Sequence, residues 1–137
     1  MIAVEELVHE KGMDGKVRFL GKVADVRPLL SISDAMVLPS TSVETFSIAM
    51  LEAMAMEVPV IGSDIGGMSE AVIPDETGYL VEPGNIESLQ RALLRILENP
   101  RHSEQLGKQA REKVIREFSV EKMARETEAV MNEVLIR

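Results

Sequence analysis

Residues 38–70 read LPSTSVETFSIAMLEAMAMEVPVIGSDIGGMSE. An apolar run ending at Leu38 gives way to a Ser/Thr-rich loop and then to a helix-forming stretch, Phe46–Met56. A second apolar run, Pro59–Ile61, leads into the glycine pair Gly66-Gly67 and a short helix over Gly67–Ile73. Strand, loop, helix, strand, turn, helix is the repeating order of a parallel sheet. Outward from this segment, Val17–Leu20, Ala35–Leu38 and Tyr79–Val81 are also short, apolar and bounded by turn or polar residues. With Pro59–Ile61 they make four expected strands. They are continuous rather than alternating, as suits parallel strands covered on both faces. A further helix, Val26–Ser33, follows Asp25. The predicted class is α/β, with a parallel sheet of about four strands, flanking helices and a helical C-terminal third.

That last third opens at Asn85, a helix cap, and continues to about Glu98 with Ile86, Leu89, Leu93, Ile96 and Leu97 on one stripe. Asn99-Pro100 stops it. A second helix is expected over Ser103–Glu117. Ser119 caps a third, running to Ile136, with Val120, Met123, Thr127, Val130, Met131 and Val134 on one side. That stripe reads as core packing first and as a partner surface second.

The chain has 137 residues, enough for one domain, and nothing marks an internal boundary. Fifteen basic against 23 acidic residues leave a net charge of −8, which argues against nucleic acid or an anionic membrane as the main partner. With no cysteine there is no disulfide and no thiolate metal site, and His9 and His102 are far apart in sequence. No apolar run is long enough to span a membrane. The N-terminus, MIAVEELVHE, carries acids where a signal peptide needs bases. A cytoplasmic location is the default.

Chemistry concentrates in the opening segment. Glu52 is the one charge in TFSIAMLEAMAM, Thr45–Met56. A helix apolar on nearly all sides is expected to be buried, so this carboxylate needs a partner, either a protein group or a ligand hydroxyl. Glu44 precedes the helix. It fits a capping box, Thr41-x-x-Glu44, and equally a ligand-facing loop at the carboxyl end of a strand. The amides around Thr45 to Ile48 point out of a helix N-terminus and suit phosphate oxygens. Gly66-Gly67 permits a tight turn or a close backbone approach. Glu70 suits the first turn of the short helix. Neither a GxGxxG fingerprint nor a Walker A motif occurs.

The run PSTSVETFSIAMLEAMAMEVPVIGSDIGGMSEAVIPDETGYLVEP resembles the donor-binding half of a GT-B glycosyltransferase of the retaining family 4 type. Glu44 and Glu52 match that family's E-x7-E signature. LEAMA, PVIGSD, the GG-x-x-E turn and TGYLVEPGN follow in the same order, VRFLGKVADVRPLLSISDAMVLPS matches the unit before them, and FSVEKMA falls within the closing helices. The resemblance implies a Rossmann-like sheet and a nucleotide-diphosphate sugar as substrate, with no metal, cofactor or protein nucleophile. It assigns Glu52 to the ribose hydroxyls and Glu44, the catalytic-centre residue, to the donor sugar. The backbone at Thr45, Phe46, Ser47 and Ile48 would hold the diphosphate, and Gly21, Lys22 and Val23 would line the base. Thr45 and Ser47 stand where the family usually has glycine, as does Glu57 before Val58-Pro59.

In the family order 3-2-1-4-5-6, Val17–Leu20 would be strand 3 and the other three runs strands 4, 5 and 6. Residues 1–137 are therefore expected to be a single partial domain lacking strands 1 and 2, with Met1–Gly12 as the helix before strand 3. The upstream Arg and Lys that neutralise the diphosphate, and the acceptor domain with its catalytic His, are expected outside the chain. Completing the sheet then calls for another chain, such as a homodimer partner, or for direct pairing of the first strand with the second. The expected function is donor binding for retaining glycosyl transfer, without catalysis by the chain alone. The alternatives are a nucleotide-binding module without turnover and an assembly module that completes another chain.

Overall fold

The structure, a computed structural model, describes residues 2–135. Ten elements follow one another: α1 (Ile2–Glu10), α2 (Arg27–Leu30), β1 (Met36–Leu38), α3 (Ile48–Ala55), β2 (Val60–Ser63), α4 (Met68–Ala71), β3 (Gly78–Val81), α5 (Ile86–Glu98), α6 (Pro100–Glu117) and α7 (Val120–Leu135). The three strands form one parallel sheet in the order β1-β2-β3. Met36 faces Val60, and Val60 faces Gly78.

Strand alternation sends neighbouring side chains to opposite faces, and each face has its own core. Val60 packs with Met50, Ala53 and Met54 of α3, with Met68 and Ala71 of α4, and with Ala110 of α6. Ile61 packs on the other side with Tyr79, Val81, Ala92, Ile96 and Leu106. All four residues of β2 are buried, as continuous apolar strands require. Helix α6 serves both cores, through Leu106 and Ala110. Its Gly107 lies against the Glu57 carbonyl so closely that a side chain there would overlap it. Glu57 itself adopts a left-handed φ of 62°. This is the position where the resembled family has glycine, and the backbone keeps the glycine conformation with a larger residue in it.

Four sequence expectations are corrected. Val17–Leu20 is not a strand. Only an isolated bridge joins Asp14 to Val17, and Phe19 and Leu20 stay 44% and 56% exposed. A strand exists only through its neighbours, and among the described residues β1 pairs with β2 alone. The direct pairing of the first two apolar runs is therefore not seen. Next, α6 starts at Pro100 rather than Ser103, because proline at the first helical position ends α5 and opens α6 at once. On α5 the buried positions are Ala92 and Ile96, while Ile86 and Leu97 are exposed. Finally, none of α7's own residues is buried, so its apolar stripe is not packed into the core. The caps are as read: the Asn85 side chain accepts from the Ser88 amide at 2.9 Å and Ser119 from that of Lys122 at 3.2 Å. Helix α1 matches the expected first helix. Met1, Ile136 and Arg137 lie outside the described residues.

Candidate functional site

Ligand-facing loops of a parallel sheet leave the carboxyl ends of its strands, and the Glu44 loop leaves β1 there. It is held from below by the turn after β2. Gly66 has a left-handed φ of 55°, and a Cβ on it would sit on the Glu44 carbonyl. The Gly67 amide donates to the Thr45 carbonyl at 2.7 Å, and a Cβ there would stand 2.6 Å from the same oxygen. The glycine pair is thus a close-approach device as well as a turn.

The capping box expected of Thr41 and Glu44 is not formed. Helix α3 starts later, at Ile48, and its cap is Ser47, whose Oγ accepts from the Met50 amide at 3.3 Å. Glu44 is left half-buried, with no side-chain hydrogen bond among the described residues. The amides of Thr45, Phe46, Ser47 and Ile48 likewise donate to no group among the described residues. Ile48 opens α3, Ser47 caps it, and Thr45 and Phe46 lead into it, so these free N–H groups lie at and just before the positive end of a helix. Phe46 is fixed by its ring, which packs against Phe118 at a centroid distance of 5.4 Å. Sequence reasoning missed this tie between the site loop and the segment joining α6 to α7. No local pattern signalled it, because the two rings are 72 positions apart in the chain.

Glu52 is the second correction at the site. It is exposed, not buried. Helix α3 buries Met50, Ala53 and Met54, but Ile48 is 72% exposed, so one side of this apolar helix has no cover. Glu52 looks along that side into a cleft shared with Val26, Leu29, Leu30 and Met36. Gly21 and Lys22 are exposed in irregular backbone and Val23 is half-buried. Their segment reaches the Glu52 cleft through Val26. There the chain is anchored by Asp25, whose carboxylate takes the Arg27 guanidinium at 2.8 Å through each oxygen and the Arg27 amide at 3.0 Å. These bonds to Arg27 lower the Asp25 pKa to about 2. No helix among the described residues is long and apolar enough to cross a membrane.

A parallel sheet with a glycine-pinned loop and an open helix N-terminus at its carboxyl ends is the partial Rossmann-like domain of a GT-B glycosyltransferase. Residues 3–113 match the profile of the family Glycosyl transferases group 1, and the chain belongs to that family. It is 36% identical over 130 residues to the N-acetyl-alpha-D-glucosaminyl L-malate synthase of Bacillus anthracis, covering 95% of this chain and 34% of that protein. Sucrose-phosphate synthase of Thermosynechococcus elongatus superposes with a TM-score of 0.90 at 35% identity, covering 97% of this chain and 34% of that one. Anabaena Alr3699/HepE, solved with UDP, shares the fold with a TM-score of 0.92 at 24% identity, over 96% of this chain and 36% of that one. The chain spans about a third of the length of the relatives it matches.

Proposed function

We propose that this chain forms the nucleotide-sugar donor site of a retaining, family 4 type glycosyltransferase in the cytoplasm, and that it does not catalyse transfer alone. The observation that carries this reading is the Glu44 loop, pinned by Gly66-Gly67 beneath four unengaged amides, with Glu52 exposed on the helix those amides begin. The amides of Thr45 to Ile48 and the α3 dipole stabilise the diphosphate, first in the bound donor and more strongly as it leaves the anomeric carbon. Glu52 accepts hydrogen bonds from the ribose hydroxyls and Glu44 from the donor sugar. Gly21, Lys22 and Val23 border the base. The acceptor oxygen replaces the diphosphate on the anomeric carbon, and a closed, water-free cleft for that step needs a second domain.

The test is an NMR titration of the 137-residue chain with UDP, GDP and ADP, following the amides from Glu44 to Glu52. Saturable shifts at Thr45–Ile48 are expected, and the nucleotide with the tightest midpoint names the base. Glu52→Gln should weaken nucleotide binding by about tenfold or more, the value of a charged hydrogen bond. Glu44→Gln should leave the nucleotide midpoint in place and weaken only the nucleotide sugar. A folded sample whose Thr45–Ile48 amides move with none of the three rejects the reading. A second reading, an assembly module that completes the sheet of another chain or of a second copy, is favoured by one feature. The edge of β1 opposite β2 is unpaired among the described residues. Sedimentation of the chain alone distinguishes a homodimer from a monomer.

A further inference from the structure

A buried tyrosine hydroxyl normally finds a hydrogen-bond partner. Tyr79, on β3, is 5% exposed, and its hydroxyl has no partner among the described residues. No fully enclosed side-chain oxygen or nitrogen among those residues lacks one, so this hydroxyl is reachable from outside. It opens onto a cleft of about 390 Å³ between β3 and α5. Strand β3 is the sheet edge opposite β1, so the cleft lies on the far edge of the sheet from Glu52. Burial, and then the charge of Asp75, push the Tyr79 pKa above its ordinary value. The hydroxyl therefore keeps its proton and can donate it in a hydrogen bond.

Helix α5 brings cations to the same cleft. Ser88, Arg91 and Arg95 follow one another at helical spacing and share one face. Arg95 is engaged: its Nη1 donates to Asp75 Oδ1 at 3.0 Å, and its guanidinium stands 5.3 Å from the centre of the Tyr79 ring. Arg91 has no carboxylate partner among the described residues. Like charges one helical turn apart repel, and Asp75 answers only one of the two. The cleft thus keeps a positive charge in a chain whose net charge is −8. The missing counter-charge is an oxyanion. Arg91 offers a planar fork of N–H donors, Tyr79 an O–H, and Arg95 the N–H groups that Asp75 does not take. Three donor groups suit the terminal oxygens of a phosphate monoester better than the two of a carboxylate. The volume falls within the range of about 300–1,000 Å³ for small-molecule sites and leaves room for an organic group on that phosphate.

We propose that the cleft between Tyr79, Arg91 and Arg95 binds the phosphate group of a small soluble phosphate ester, at a site separate from the place of the nucleotide. The phosphate pairs with the Arg91 fork and accepts from the Tyr79 hydroxyl. Half-buried Leu80 borders the organic part. A hydroxyl sunk beside a core residue is poorly placed for a lipid headgroup, and the net charge of −8 opposes an anionic membrane. The source is therefore a soluble ester. The proposal uses none of the roles given to Glu44, Glu52 or the α3 amides, and its failure leaves them untouched.

The experiment is an NMR titration of the labelled full chain with inorganic phosphate and with glycerol phosphate at constant ionic strength, with acetate as the control anion. Saturable shifts are expected at the Tyr79, Ser88 and Arg91 amides and at the Arg91 side-chain N–H, with glycerol phosphate at least as tight as inorganic phosphate. Arg91→Gln and Tyr79→Phe should each weaken both about tenfold, the value of a hydrogen bond to a charged group. Arg91→Lys keeps the charge without the fork and should fall between Arg91→Gln and the parent. Tyr79→Phe keeps the ring beneath Arg95 and breaks no hydrogen bond among the described residues, so its urea midpoint should match the parent. Variants that move that midpoint and leave phosphate affinity alone show a purely structural role and overturn the proposal. It also falls if neither phosphate moves these amides saturably in a folded sample, or if acetate binds as tightly. Displacement of phosphate from these amides by UDP would put the nucleotide there and overturn the separate site. Flotation with phosphatidic acid vesicles, without saturable binding of glycerol phosphate, would assign the cleft to a membrane and overturn the soluble ester.

Discussion

Gly66→Ala tests how the site loop is held. The residue has a φ of 55°, a conformation that costs an L-residue about 1–2 kcal/mol. Its new Cβ would also fall on the Glu44 carbonyl, which is backbone and cannot rotate away. Forcing that contact apart adds an overpacking cost of about 1–3 kcal/mol. The two together give a loss of about 2–5 kcal/mol if the loop stays in place. Gly84→Ala is the control. Its φ is 76°, and the nearest atom to a new Cβ is Thr41 Cγ2 at 4.0 Å, so only the backbone cost of about 1–2 kcal/mol applies. Urea unfolding followed by circular dichroism compares the two variants, and at a slope of about 1–3 kcal/mol per molar the Gly66 midpoint should lie well below that of Gly84→Ala. Strain can instead be relieved by lifting the loop. In that case stability falls less, the Glu44 and Thr45 amides shift strongly, and UDP binding is lost. A Gly66→Ala protein as stable as Gly84→Ala, with unshifted Glu44 and Thr45 amides, refutes the claim that the glycine pair supports the loop.

Thr77→Val should cost about 1–3 kcal/mol in urea unfolding, because the buried hydroxyl accepts from the Ile73 amide at 2.8 Å and donates to the Ala71 carbonyl at 3.0 Å, and valine of similar shape strands both. Glu117 is held ionised chiefly by its hydrogen bond to Lys113, then by that to Arg116, which lowers its pKa from the ordinary 4.5 to about 2. A lowered folded-state pKa means that the pair's contribution is complete above about pH 4.5 and is lost as pH falls toward 2. A carboxyl-carbon NMR titration should show the low midpoint, and Lys113→Met should move it back upward.

The legible parts of the fold are those fixed by neighbours in sequence. Asn85 and Ser119 cap helices because a cap and its amide are three residues apart. The continuous apolar run at β2 marks a strand buried on both faces wherever its cover comes from. Val17–Leu20 is apolar at three of its four positions, yet pairing is a property of two segments, and composition reports only one. The apolar make-up of α3 suggested a buried Glu52 for a related reason. It measures how much surface seeks cover, and Ile48 and Glu52 lie on the side where none is present among the described residues. At the site, Glu44, the amides of α3 and the glycine pair were legible as residues. Their mutual support was not, because the Gly67–Thr45 hydrogen bond and the Phe46–Phe118 contact join positions far apart in the chain.

Two kinds of support divide the candidate site. The Glu44 loop and the start of α3 are braced from within the chain: by Gly66-Gly67 beneath Glu44 and Thr45, by the Ser47 cap, and by Phe118 against Phe46. Each brace belongs to an element packed into the core on the α3 face. Glu52 and the segment of Gly21 to Val23 are different. Glu52 lines a cleft with Val26 and with Met36 of β1 on a helix whose Ile48 is uncovered, and Gly21 and Lys22 are exposed in irregular backbone. Backbone amides at a helix start recognise any diphosphate alike, whereas a ribose or a base is discriminated by side chains and shape. On the function proposed above, the braced part would take the common portion of all nucleotide donors, and the open part the portion that differs among them. On that proposal, covering the β1 side would add selectivity to a loop whose backbone geometry the chain itself already braces.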